Sequence, residues 1–247
     1  MIPTPSAATK TGVFWTQFPA TELTDFDGNP VDWSDHKAAH RAVSRLFQPR
    51  LPGARGERRA EAGILYRLDM LRPVDVPTVI VQSLVPPELT PGLSRTTEVS
   101  RRAWDVEAGQ RVALRLAVNP VFRTTRYFED KAKSRPASWS NLATSEAAPR
   151  DESGKRVRAN AKSTARVVPA GEIEPWLISK VGQAITGIEI VNHFRDKTVS
   201  GHHRLVVDTI DAMATVADPL ALSELRLRGV GRSKAYGCGL LTVTRID

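Results

Sequence analysis

The sequence predicts an α+β chain of two tandem ferredoxin-like (RRM-like) domains with antiparallel sheets. Two observations predict it. The second half reads strand, helix, strand, strand, helix, strand, which is the ferredoxin-like order, and the first half follows the same plan with its second helix weak or absent. The helical segments also carry one apolar stripe each, as helices that cover a single sheet face must. The 247 residues accommodate two compact domains of roughly 100 residues each. The expected division is 1–108 and 109–247.

In the first domain, Val13 to Gln17 is a short apolar and aromatic run suited to open a sheet. Ser34 or Asp35 then caps a helix running to about Phe47, with Ala39, Ala42, Val43, Leu46 and Phe47 on one stripe. Strands are expected over Ile64 to Met70 and Thr78 to Leu84, the latter rich in β-branched residues. Pro86, Pro87 and Pro91 make a loop, and Glu98 to Trp104 is a weaker strand.

The second domain opens with RVALRLAVN, Arg111 to Asn119, which alternates charged and apolar residues and stops at Pro120. A segment low in hydrophobic residues follows, at about 121–166, and is expected to be a long mobile loop. Ile173, Trp176, Leu177, Val181, Ala184 and Ile185 recur at helical spacing. Gly187 to Phe194 and His203 to Val216 then read as a strand pair joined by a polar turn at Arg195 to Gly201. Asp218 caps a last helix with Pro219 at its first position and Gly229 past its end, and Leu240 to Ile246 closes the sheet.

Net charge is +8, and its placement is informative. Between Val121 and Arg166 there are eleven Lys or Arg against five acids, so this one segment carries +6 of the total. A polyanionic partner is the natural reading, although charge runs are commonly just solvated. No apolar run is long enough to cross a bilayer, and the start MIPTPSAATKTG lacks the pattern of a secretory signal, so a cytoplasmic location is expected. The one cysteine, Cys238, cannot form an internal disulfide.

The most distinctive segment is GVGRSKAYGCGLL, Gly229 to Leu241, a glycine-rich loop at 229–239 between a capped helix and the last strand. It is neither a Walker loop nor a dinucleotide fingerprint in its proper setting. As a whole it resembles the C-terminal GxGxxKxxGxGLL motif of the CasE family of CRISPR repeat-processing nucleases, at Gly229, Gly231, Lys234, Gly237, Gly239, Leu240 and Leu241. LRLAVNP, Leu114 to Pro120, resembles that family's strand ending in Asn-Pro. HRAVSRLF, His40 to Phe47, resembles its first helix, in which a histidine precedes a Leu-Phe pair. Members often have a tyrosine three residues before that histidine; here the position is Lys37.

The resemblance implies a metal-independent endoribonuclease with no cofactor. It would cut CRISPR precursor RNA at the 3′ base of the repeat stem-loop by 2′-hydroxyl attack, leaving a 2′,3′-cyclic phosphate. It would then stay on the mature crRNA with the other subunits of type I-E Cascade. His40 is the expected catalytic histidine, with Lys37 as a source of positive charge for the phosphorane. RNA contacts are expected from Arg41 and Arg45 on the first helix, Arg156, Arg158, Lys162 and Arg166 in the basic segment, and Arg232 and Lys234 in the glycine-rich loop. Two rivals stand beside this reading. One is an inactive subunit that only binds the RNA hairpin. The other is a metal-dependent hydrolase, because His36 and His40 share a helical face at a spacing that can bind zinc. His202 and His203, beside the expected turn, are further possible phosphate contacts.

Overall fold

The structure is a computed structural model that describes residues 12–47, 58–69, 76–90, 93–103, 105–125, 163–200 and 203–246. The described chain up to Pro120 and from Ile173 onward packs into one compact unit, and Val121 to Glu172 belongs to a second.

The first sheet is built from β1 (Val13–Pro19), β2 (Leu65–Asp69), β3 (Thr78–Ser83) and β4 (Glu98–Arg102), in the order β2-β3-β1-β4 with every pairing antiparallel. The second contains β5 (Arg111–Val118), β8 (Ile185–Ser200), β9 (His203–Val216) and β10 (Leu241–Arg245), in the order β10-β5-β9-β8, also antiparallel. Counted within each half, both sheets run fourth, first, third, second, as a ferredoxin-like domain does. The two-domain fold expected from the sequence is therefore the fold observed.

In the first half, α1 (His36–Arg45) lies on one sheet face. Its Ala39, Ala42 and Val43 join Phe18, Tyr66, Val79 and Val81 in one buried cluster. The second helix of this half is absent among the described residues. A 3-10 turn, Leu93–Arg95, stands there, beyond Pro86 and Pro87, which cannot donate to a helix ladder. A further short helix, α2 (Arg58–Glu61), precedes β2. In the second half, α3 (Ile173–Val181) buries Trp176 and Leu177, and α4 (Pro219–Arg228) buries Leu222 and Leu225. The Asp218 carboxylate accepts from the N–H groups of Leu220 and Ala221 at 2.8 and 3.1 Å, so the cap expected from Asp-Pro is present.

Three expectations are corrected. The helical spacing read from Ile173 to Ile185 is helix only to Val181, and Ile185 opens β8 opposite Val216. The polar turn expected at Arg195 to Gly201 is strand as far as Ser200. Its charge is neutralised across the ladder: Arg195, directly opposite Asp208, donates from Nε and Nη2 to that fully buried carboxylate at 2.7 Å each. His193 Nε2 lies 2.8 Å from the same group. A cross-strand charge pair of this kind stabilises strand where the isolated sequence reads as turn. The basic segment is also not a loop throughout. Its two ends are β6 (Val121–Thr125) and β7 (Ser163–Val167), which pair antiparallel, Phe122 opposite Arg166, because β-branched and aromatic residues suit a pleated ladder. The rest of that segment, 126–162, lies outside the described residues.

The face of the first sheet turned away from α1 meets the second domain. Trp15 and Leu65 pack with Leu240 in a small buried cluster. Beside them Arg67, 2% exposed, makes a bidentate bond to Asp69 at 2.5 and 2.8 Å. Its Nη1 also donates to the carbonyls of Arg115 and Leu240, at 2.9 and 3.1 Å. Gln82 Nε2 adds a bond to the Arg226 carbonyl at 3.0 Å. A buried charge whose partner is deleted costs far more than the pair contributes. Arg67→Ala is therefore expected to lower stability by about 3–5 kcal/mol in chemical denaturation, with the apolar double variant Arg67→Met/Asp69→Leu closer to wild type. A loss below about 1 kcal/mol for Arg67→Ala would show that the cross-domain bonds do not carry this interface.

Candidate active site

α1 begins where Asp35 accepts from the Lys37 backbone N–H at 2.9 Å. This cap sets the phase of the helix. Ala39, Ala42 and Val43 face the core, Lys37 and Arg41 are exposed, and His36 and His40 sit half-buried at the border of the apolar stripe. The Ser44 hydroxyl, one turn along, is 3.4 Å from His40 Nδ1. Burial pushes the His36 imidazole's pKa down, and the carboxylates of Asp35 and Asp196 raise it by less, so His36 favours the neutral form. Its Nε2 is enclosed without a hydrogen-bond partner. Among the described residues no three His, Cys, Asp or Glu side chains converge to hold a metal ion.

The glycine-rich loop comes to α1 from the far end of the chain. Gly229 ends α4 at φ 74°, and a Cβ there would lie 2.9 Å from both terminal methyls of Leu65 and 3.0 Å from the Gly239 carbonyl. Gly239, at φ 91°, would put a Cβ 2.9 Å from the Val230 carbonyl. Any other residue at either position meets both backbone strain and a clash. With the side chains absent, Val230 N–H donates to the Gly239 carbonyl at 2.9 Å and Gly239 N–H to the Ala117 carbonyl at 2.7 Å. Asn119, bridged to Arg232, donates from Nδ2 to Ser233 Oγ at 2.7 Å. From β2, the Tyr66 hydroxyl donates to the Ala235 carbonyl at 3.2 Å.

These bonds hold a single 3-10 turn, Lys234–Tyr236, between two left-handed residues, Ser233 and Gly237. The turn presents Tyr236 to α1. The Tyr236 ring centroid lies 6.4 Å from that of His40, edge-on at 83°, and 6.3 Å from that of His36. Tyr236 is not among the residues that the sequence singles out. Its signal was present, an aromatic residue inside the glycine-rich motif, but nothing local says that it faces a helix nearly 200 residues earlier.

The expected basic contacts divide into several groups. Arg41 and Arg232 are exposed. Arg45 stacks over the Phe26 ring at 4.3 Å and donates to the Thr24 carbonyl at 3.3 Å, so its guanidinium is partly engaged within the fold. Lys234 Nζ donates to the Arg228 carbonyl at 2.6 Å, where it complements the C-terminal end of α4. Arg166 is exposed on β7, in the second compact unit. Arg156, Arg158, Lys162 and His202 lie outside the described residues, as does the side chain of His203. Cys238 is fully buried and its thiol is pushed up to about 12, which leaves it inert as a nucleophile. No helix among the described residues is long and apolar enough to cross a membrane.

Three comparisons bear on this arrangement. In structure the chain is similar to the CRISPR-associated protein Cas6e of Escherichia coli K-12, at 17% identity and TM-score 0.58 over 95% of this chain and 100% of that one. It is similar to Cse3 of Thermus thermophilus bound to an RNA representing a pre-cleavage complex, at 21% identity and TM-score 0.59 over 94% and 99%. It also matches a chain of a CRISPR RNA-guided surveillance complex, at 19% identity and TM-score 0.53 over 94% and 100%. At such identities these likenesses establish the fold. No curated protein sequence matches the chain. The family model for CRISPR associated protein matches residues 24–245, nearly the whole length, and the chain therefore belongs to the CRISPR-associated protein family.

Proposed function

We propose that this protein is a metal-independent endoribonuclease that cuts CRISPR precursor RNA at the 3′ base of the repeat stem-loop and remains on the mature crRNA within Cascade. The observation that carries the reading is the meeting of α1 with the glycine-rich loop, which brings His40 and Tyr236 within 6.4 Å, centroid to centroid, in a chain of this family. Support for the partners comes from the similar proteins: Cse3 is bound to RNA in a pre-cleavage complex, and another relative is part of a surveillance complex.

Strand cleavage without a metal needs an oxygen nucleophile already in the substrate, and the ribose 2′-hydroxyl beside the scissile phosphate is one. Its proton must be taken, its oxygen held in line with the departing 5′-oxygen, and the charge on the phosphoryl oxygens balanced. His40 takes the proton, because an imidazole is substantially neutral and basic near neutral pH. Lys37, one helical turn before His40 and exposed, supplies positive charge toward the phosphoryl oxygens. The product is a 2′,3′-cyclic phosphate. Arg41, Arg45, Arg232 and Lys234 contact the RNA backbone beside the site, and Arg156, Arg158, Lys162 and Arg166 of the basic segment engage the stem.

Cleavage of a synthetic repeat hairpin in chelator tests the chemistry. Wild type is expected to cut the all-ribose hairpin and to leave one with a 2′-deoxy nucleotide at the scissile position intact, while His40→Ala binds but cuts about 100-fold more slowly or worse. Binding without cleavage by wild type would mean an inactive hairpin-binding subunit. Activity lost in chelator and restored by zinc or manganese would mean a metal-dependent hydrolase. For the electrostatic part, Arg232→Ala is expected to weaken hairpin binding whatever the stem sequence and to reduce the slope of log affinity against log salt by roughly 1. An unchanged slope would remove Arg232 from the phosphate contacts.

A further inference from the structure

Cleavage by an internal hydroxyl requires two proton transfers at opposite ends of one axis. The entering 2′-oxygen loses a proton and the departing 5′-oxygen gains one. A single imidazole cannot stand at both ends of an in-line displacement in the same step. A second group that carries a proton at neutral pH and faces the same phosphoryl group would therefore speed departure of the 5′-oxygen.

Most side chains around His40 are committed elsewhere. The Ser44 hydroxyl lies against His40 Nδ1 itself. His36 has its Nε2 enclosed and its imidazole held toward the neutral form, so it offers no acidic proton to solvent. Lys234 bonds the carbonyl that ends α4. Cys238 is buried. Lys37 is protonated and exposed one turn before His40, but its charge is already assigned to the phosphoryl oxygens. Tyr236 differs from all of these. It is 37% exposed, its hydroxyl makes no hydrogen bond to the described residues, and its ring stands edge-on to His40. Phenols hold their proton at neutral pH and give it up far more readily than water or a serine hydroxyl.

The backbone that carries the ring is also fixed. The turn that carries it is set by left-handed residues on both sides, and Tyr66 bonds the carbonyl of the residue before it. A proton donor fixed in this way needs no reorganisation when charge develops on the leaving oxygen.

Building on the endoribonuclease reading of this site, we propose that Tyr236 is the general acid of strand cleavage, giving its phenolic proton to the departing 5′-oxygen while His40 takes the proton of the 2′-hydroxyl. The 2′-oxygen–phosphorus bond forms and the phosphorus–5′-oxygen bond breaks. The 2′-hydroxyl proton ends on His40 and the phenolic proton on the new 5′-hydroxyl. Proton exchange with solvent then returns imidazolium and phenolate to their starting forms.

The test compares wild type, Tyr236→Phe and His40→Ala on two hairpins of the host's own repeat. One has the natural bridging 5′-oxygen at the scissile phosphate, and the other has sulfur there, which leaves as a thiolate and needs no proton. Tyr236→Phe is expected to cut the oxygen hairpin about 100-fold more slowly than wild type yet to stay within about 3-fold on the sulfur hairpin, with His40→Ala slow on both. Hairpin affinity measured alongside is expected to be unchanged by Tyr236→Phe. Equal losses on the two hairpins, or no loss on the oxygen hairpin, would overturn the assignment while leaving the endoribonuclease reading in place. Failure of wild type to cut either hairpin would instead overturn the endoribonuclease reading, and the role of Tyr236 with it.

Discussion

The buried guanidinium of Arg67 is the constraint on which the rest depends. It stands on β2 in the first sheet, yet two of its bonds go to carbonyls of the second domain, at Arg115 and Leu240. Charge alternates onward from there. Asp69 neutralises Arg67 and lies 3.5 Å from Arg115, which reaches Asp211 at 3.3 Å. Breaking such a run at its buried end leaves a charge in the interface without its partner, and that penalty disfavours docking geometries of the two domains that would separate the pair. Leu240 follows the last glycine of the glycine-rich loop. The bond that joins the domains thus also fixes the base of the loop that forms the site.

The site is therefore a product of tertiary structure. α1 supplies His40 from the first domain, and the loop supplies Tyr236 from the end of the second. Neither element is long or self-sufficient. α1 has ten residues, and the loop has little regular structure beyond one 3-10 turn. Each is held by its neighbours, the helix through Ala39, Ala42 and Val43 and the loop through a backbone bond to Ala117 and a phenolic bond from Tyr66. Precision in the placement of the two side chains comes from those supports.

How much of this is legible in sequence follows from how local the information is. The Asp35 and Asp218 caps, the stop at Gly229, the ladder of Arg111 to Val118 and the order of elements all rest on neighbouring residues, and the observed elements agree to within a residue or two. His40 and Lys37 are placed by the helical phase alone, which the cap determines. What escapes is whatever depends on a distant partner. Arg195 looks like a turn residue until Asp208, on the other strand, is seen to neutralise it. The strand ends at Val121 and Ser163 are invisible within a segment dominated by charge. Lys234 reads as a nucleic-acid contact, and nothing local shows that its ammonium also meets the end of α4. Tyr236 lies inside the glycine-rich motif, but nothing local says that it meets α1.

The β8–β9 hairpin has a mechanical consequence. The ladder between β5 and β9 stops at Val118 opposite Asp208, while β8 and β9 stay paired out to Ser200 and His203. Beyond Asp208 the described sheet continues as the β8–β9 pair alone, with Leu205 still buried. The Arg195–Asp208 bonds sit at that step. They tie β8 to β9 where β5 ceases to support the pair, so beyond the sheet the pairing of the two strands does not rest on backbone bonds alone.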